Sequence, residues 1–255
     1  MVICFEGKMG TGKTSLAVRY AKELYDKRLR EYKRKKERLL KRNKEGYIKK
    51  PGLVYTNMRS LTFANKYIYR IRDLISIVNG VVVLDEGHIW FLSRDWRETG
   101  RDVIAWFAQS RKRNVDIIYT VQHLGFIDSS IRRITDYVYR CCKIGHYSLI
   151  FRRVGFDLDK ARYKFAGIKK ISKSWKLYDH REVIIPPFEL YGGDLSYEEY
   201  KDMCNSIDYR NIIYEWVHKA EESNGSIERK RDIKCRNNKS IRNRGKRKKI
   251  KLGSS

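Results

Sequence analysis

The sequence predicts an α/β fold, a mostly parallel sheet flanked by helices, followed by a basic C-terminal extension. Three observations carry this. Short apolar-rich runs, at residues 2–5, 81–84 and 115–121, read as strands buried on both faces. Segments with apolar residues at helical spacing alternate with them up to about residue 135. Near the C-terminus the chain becomes polar and strongly basic.

The first strand, Val2 to Phe5, runs into "GKMGTGKT", Gly7 to Thr14, which fits G-x-x-x-x-G-K-[ST]. After it, Leu16, Ala17, Tyr20, Ala21 and Leu24 recur at helical spacing. Strand, glycine loop, helix is the context in which this pattern binds phosphate. The glycines let backbone N–H groups turn inward around phosphate oxygens, and the helix N-terminus adds partial positive charge. Lys13 can reach the β and γ phosphates, and the Thr14 hydroxyl can ligate Mg²⁺. Gly7, Lys8, Met9, Gly10, Thr11 and Gly12, with Ser15 just beyond, complete the cradle. ATP and Mg²⁺ are the expected cofactors.

Residues 27–50 hold 13 Lys and Arg. The first helix continues into them and loses its apolar face after about Tyr32, as a basic helical extension or a loop. A solvated surface helix and a polyanion contact are both open for it. "GLVYTNM", 52–58, reads as a second strand, and "IRDLISIVNG" as a helix over 71–80 ended by Gly80. The strand 81–84 has Asp85 and Glu86 at its C-terminal end, where α/β sheets place ligands. In a nucleoside triphosphatase Asp85 would hold the Mg²⁺ shell, and Glu86 would orient and deprotonate the attacking water.

A helix over 97–114 and a strand over 115–123, ending near Gln122, come next. A short helix over 127–135 is capped by Asp128. Two strands, 136–144 and 147–156, join around Gly145 as an antiparallel pair at the sheet edge. From about residue 170 the pattern weakens. Residues 175–203 are expected to wrap over the core, and 196–222 are compatible with a helix opened by a capping box, Ser196 and Glu199. Residues 228–251 hold another 13 Lys and Arg with few apolar residues, a tail expected to be disordered when free. The domain reading is therefore a phosphate-loop ATPase domain over 1–170, a partly helical accessory segment over 171–225, and a basic tail over 226–255.

Lys and Arg total 57 against 30 acids, a formal charge of +27. Such excess attracts nucleic acid or an anionic membrane surface. No apolar run reaches the roughly 18–20 residues that cross a bilayer, and no leader pattern precedes the first strand. Five cysteines without regular spacing suggest reduced thiols and a cytoplasmic setting. Cys141, Cys142 and His146 match no zinc spacing, and core or strand-face positions are expected for the cysteines.

"GKMGTGKT", "VVVLDE", the basic "SRKR" at 110–113 and the strand ending in "VQH" resemble, in order and spacing, the FtsK–HerA group of RecA-like P-loop ATPases. Within that group the first 155 residues or so look most like the zonular occludens toxin-like (Zot) family, virus- and phage-encoded assembly or DNA-export ATPases. The resemblance implies phosphate binding by Gly7 to Thr14, Mg²⁺ at Thr14 and Asp85, and water activation by Glu86. It also implies Gln122 as a polar sensor of the γ-phosphate and an arginine acting across a subunit interface, Arg111 or Arg113. Filamentous-phage members usually carry a transmembrane segment. None is visible here, which shifts the expectation from extrusion toward genome packaging.

The resulting expectation is an ATP-driven DNA translocase, virus- or plasmid-encoded, acting in genome packaging or virion morphogenesis. Its partners would be DNA, held without sequence preference, further copies in a ring, and virion or assembly proteins. It would work in the host cytoplasm or with the virion. A nucleotide-gated assembly protein with little turnover and a replicative helicase are the alternatives. DNA-stimulated ATPase activity separates the first, and strand separation the second.

Overall fold

The computed structural model describes residues 1–42, 48–91, 96–154, 162–191 and 195–205, with backbone only at 96–99 and 191. Met1–Tyr200 forms one compact unit, and of the second only residues 201–205 are among those described. The strands are β1 (Val2–Glu6), β2 (Leu53–Thr56), β3 (Lys66–Tyr67), β4 (Gly80–Leu84), β5 (Val115–Val121), β6 (Tyr137–Ile144), β7 (Tyr147–Val154) and β8 (Arg162–Lys170). They build one sheet in the order β3-β2-β4-β5-β1-β6-β7-β8. From β1 to β6 all pairings are parallel, and β7 and β8 join antiparallel. This is the α/β P-loop architecture expected, a mostly parallel sheet with helices on both faces.

The strands in the middle of the sheet read as unbroken apolar runs because both faces are covered. Val2, Cys4, Val82, Leu84, Ile117 and Tyr119 pack into one core, with Trp106 and Phe107 of α4 (Trp96–Ala108) and Ile131 of α5 (Ser129–Ile134). Ile3, Phe5, Val81, Val83 and Ile118 face the opposite core, against Leu16, Ala17, Val18 and Ala21 of α1 (Lys13–Lys41). Each Val, Leu, Ile or Phe among them taken fully from water contributes about 1.5–3 kcal/mol.

α1 runs for 29 residues without Gly or Pro, so the basic stretch is helical as far as Lys41. The burial pattern of α1 is apolar only in its first turns, and from Arg30 onward its residues are almost all exposed. Midway, the Arg28 guanidinium clamps the helix to the N-terminal edge of the sheet. It donates to the Gly80 carbonyl (3.3 Å), to the Asn114 carbonyl and to the Asp116 carboxylate.

Several expectations need correction. Gly80 does not end a helix. α2 spans only Ile71–Ile75, Asn79 makes the turn at φ 59°, and Gly80 opens β4. A Cβ there would sit 2.4 Å from the Leu53 carbonyl, so glycine marks a close strand approach rather than a cap. α4 stops at Ala108 and not at 114, because Asn114 turns the chain at φ 57° into β5, which ends at Val121. β6 and β7 do pair antiparallel around Gly145 (φ 55°), but they are not the edge. β8 is, and it escaped the pattern because Arg162, Lys164, Lys169 and Lys170 make it read as loop. Such lysines are how natural edge strands discourage further pairing.

β3 and two short helices, α3 (Gly87–Trp90) and α6 (Phe188–Tyr191), were also unexpected. Asp128 caps α5 as expected, through the Ser130 amide at 2.7 Å. The capping box opens α7 (Tyr197–Asn205): the Ser196 amide donates to Glu199 (2.7 Å), and the Glu199 amide to Ser196 (3.3 Å). The remainder of that expected helix, and the basic tail, lie outside the described residues.

Candidate functional site

The C-terminal ends of β1, β5 and β4 converge on one cavity of about 610 Å³. β1 delivers the glycine loop, and its register beside β5 is locked by the Gly7 amide on the Val121 carbonyl (3.2 Å). Gly12, at φ 85°, turns the loop into α1, and a left-handed residue there favours glycine. Thr11 steadies the loop by donating its hydroxyl to the Lys8 carbonyl (2.8 Å). Lys8, Met9 and Gly10 form the exposed tip.

Lys13, only 7% exposed, reaches across to the acidic pair after β4: its Nζ lies 2.7 Å from Glu86 Oε1. Thr14 donates its hydroxyl to Asp85 Oδ1 (2.8 Å), which also accepts from Thr120 of β5 (2.5 Å). Burial pushes the Asp85 carboxyl up, opposed by those two hydroxyls and by the Lys13 charge. Thr14 and Asp85 are hard oxygen donors side by side, which fits Mg²⁺, an ion usually held by one or two carboxylates plus substrate phosphates.

Glu86 occupies the left-handed region at φ 47°, ψ 49°, a conformation that costs a non-glycine residue about 1–2 kcal/mol. That twist brings its carboxylate back toward Lys13. Its amide is held by the Thr120 hydroxyl (3.0 Å). His88 Nδ1 lies 3.2 Å from Glu86 Oε2. Burial pushes the His88 imidazole below its usual value, with the Glu86 charge pulling the other way.

A profile of the family described as zonular occludens toxin (Zot) matches residues 1–180. The chain belongs to the Zot family. Among relatives, the gene 1 proteins of Enterobacteria phages fd and M13 are each 37% identical over 75 residues, 29% of this chain and 22% of theirs. The matched stretch thus spans about a fifth of those relatives. Among solved structures, the N-terminal domain of zonular occludens toxin from Neisseria meningitidis aligns with a TM-score of 0.43 and 16% identity, over 70% of this chain and 98% of that one. The genome packaging NTPase B204 of Sulfolobus turreted icosahedral virus 2, bound to ATP-gammaS, aligns with a TM-score of 0.39 and 10% identity, over 65% and 96%. Likeness at that level says nothing about activity.

In this Zot-family chain β5 lies between β1 and β4, so Gln122, just past its end, stands between the glycine loop and the acidic pair and lines the cavity. Arg111 and Arg113 are not brought there. Both sit at the N-terminal end of β5, the opposite edge of the sheet. Arg113 donates to the Ile75 carbonyl (2.9 Å), and Arg111, 78% exposed, pairs with Asp136 (2.9 Å). Ser15 is buried, its hydroxyl on the Ile171 carbonyl (2.7 Å). Cys141 packs in the core, where burial pushes its thiol to about 12.

Three contributors carried no readable signal. Asn57, just after β2, clamps the backbone of Asp85 from both sides: its side-chain amide donates to the Asp85 carbonyl and its oxygen accepts the Asp85 amide, both at 2.9 Å. Glu6, at the end of β1, is 3% exposed and accepts from Arg140 (2.9 Å) and Tyr163 (2.8 Å). It ties the glycine-loop strand to β6 and β8. Third, residues after β8 enter the cavity wall. The "N" of "YTNM" was visible as a polar residue closing an apolar strand, but nothing local tied it to Asp85.

Proposed function

We propose that this chain is a Mg²⁺-dependent ATPase that moves DNA, in genome packaging or virion morphogenesis of a virus or plasmid. The observation that carries the ATPase half is the meeting of Lys13 and Thr14, at the start of α1, with Asp85 and Glu86, just after β4, within hydrogen-bond reach. The phosphates of ATP compete with Glu86 for Lys13. Once Lys13 turns to the β and γ phosphates, the Glu86 carboxylate loses its cation and can take a proton from water. The water oxygen bonds to the γ-phosphorus as the bond to the β–γ bridging oxygen breaks, leaving ADP and phosphate. Thr14 and Asp85 would hold Mg²⁺, which would supply charge neutralisation for the phosphate oxygens. Gln122 stands where the terminal phosphate would be sensed. In a ring of copies, an exposed arginine such as Arg111 is the candidate to act on a neighbour's site.

The DNA half rests on the charge: exposed Lys33, Arg34, Lys35, Lys36 and Arg38 along the outer α1, and the basic run 228–251. Contacts of this kind address phosphates and carry no base information. The test is ATP turnover with and without duplex DNA. Stimulation by DNA of any sequence is expected. Turnover indifferent to DNA would instead favour a nucleotide-gated assembly protein, and strand separation a helicase.

Deleting residues 226–255 is expected to weaken DNA binding and flatten its salt dependence. Each lost phosphate contact lowers the slope of log affinity against log salt by about 0.9 on duplex DNA. Titrations at several salt concentrations measure this, and an unchanged slope removes the tail from the interface.

A further inference from the structure

The segment after β8 is pinned across the start of α1. The Ile171 amide bonds the His146 carbonyl of the β6–β7 turn (3.0 Å). The Ser15 hydroxyl donates to the Ile171 carbonyl (2.7 Å) and the Ser174 hydroxyl to the Ser15 carbonyl (3.0 Å), with the two side-chain oxygens 2.8 Å apart. Further on, the Leu177 carbonyl takes the Thr62 amide (2.9 Å), and the Glu182 carboxylate accepts the Arg59 and Ser60 amides. A strap fixed at so many points holds its remaining side chains in place.

Between the pins Trp175 leaves the core. It is 49% exposed, yet its ring is not loose: it stacks on His180 with centroids 4.7 Å apart and planes 16° off parallel. The Trp175 amide bonds the Ser172 carbonyl (3.2 Å), which keeps it within one turn of the end tied to the β6–β7 hairpin. Trp175 and His146 line the same cavity as Lys13 and Thr14. Asp85, Glu86 and Gln122 stand on the β4–β5 side of the glycine loop, and the hairpin on the β6–β7 side. A nucleoside triphosphate with its terminal phosphate at the acidic pair therefore directs its base toward the hairpin and the indole.

We propose that Trp175, held in its stack with His180, is the platform on which the nucleobase stacks, and that the site prefers purines. This rests on the nucleotide reading above. A flat, half-exposed indole already ordered by its stack with His180, both rings on the cavity wall, offers a stacking surface at little further ordering cost, and a purine covers more of it than a pyrimidine. Such a ring accepts any base, more strongly the larger its stacked area, and gains nothing from bare phosphate.

The test is calorimetric titration of wild-type, Trp175→Ala and Trp175→Phe proteins with ATP, CTP and inorganic tripolyphosphate, each with Mg²⁺. Trp175→Ala is expected to weaken ATP by about 5- to 150-fold, to shrink the ATP-over-CTP preference, and to leave tripolyphosphate within about twofold. Trp175→Phe restores most of the ATP affinity. Unchanged ATP affinity in Trp175→Ala overturns the platform. So does an equal loss for ATP and tripolyphosphate, which would make the indole only a brace for the strap. If the wild-type protein binds ATP no better than tripolyphosphate, the platform fails alone. If it binds neither, the nucleotide reading fails and the platform with it.

Discussion

Glu86→Gln is expected to bind ATP more tightly than the wild-type protein and to hydrolyse it about 10²–10⁴-fold more slowly, the span of a lost general base. The slower turnover follows from the proposed role of the carboxylate. The tighter binding follows from geometry. Lys13 lies 2.7 Å from Glu86 and is nearly enclosed, so triphosphate must draw it from a charged partner. The amide of glutamine holds an ammonium less strongly than a carboxylate does. Lys13→Ala removes the cation itself and is expected to weaken ATP at least about 10-fold, the loss of one charge-assisted hydrogen bond. Binding by calorimetry and turnover by phosphate release read the two quantities separately. Near wild-type turnover in Glu86→Gln would remove it from the chemistry. Weaker rather than tighter ATP binding in the same variant would mean that the ion pair supports the loop instead of competing with the nucleotide.

The largest loss of stability is expected at Trp106. It is 1% exposed, donates its indole N–H to the Ile77 carbonyl (3.2 Å), and meets Phe107 edge-on at 5.4 Å. Phe107 continues edge-on to Phe91 (5.3 Å) and Tyr119 (6.3 Å), so one aromatic chain joins α4 to the sheet. Trp106→Ala opens a cavity at one end of that chain and leaves the Ile77 carbonyl without its donor. The cost is about 3–5 kcal/mol, read from the urea midpoint at constant slope. Trp106→Phe returns the volume in part and not the hydrogen bond, and falls between. A loss below about 1 kcal/mol would show that the site collapses and refills the space.

The legible parts of this chain are those whose signal is local. The strand–loop–helix around Gly7 to Thr14 and the apolar run before Asp85 declare themselves within a dozen residues, because one short stretch both folds and carries the groups. The basic continuation of α1 was legible as helix or loop; helix wins through the absence of any breaker up to Lys41. What stayed hidden depends on partners far away in sequence. Gly80 reads as a helix stop until Leu53 lies against it. Asn57 is an ordinary turn residue until β2 pairs with β4 and sets it against Asp85. β8 is too basic for its alternation to show. The left-handed turn at Glu86 has no sequence mark at all, since what holds a glutamate there is a set of bonds to distant groups, Thr120 and Lys13 among them.

The unbroken course of α1 has a consequence for how its two ends can communicate. At 1.5 Å per residue, its 29 residues set Lys13 and Lys41 about 40 Å apart, on a rod with no hinge. Charges in solution at that separation do not feel one another, because salt screens them beyond about 8 Å. An anion on the outer arm therefore neither repels nor displaces one in the glycine loop. Whatever news passes between them travels as force, through the rod and its Arg28 fulcrum on the sheet edge.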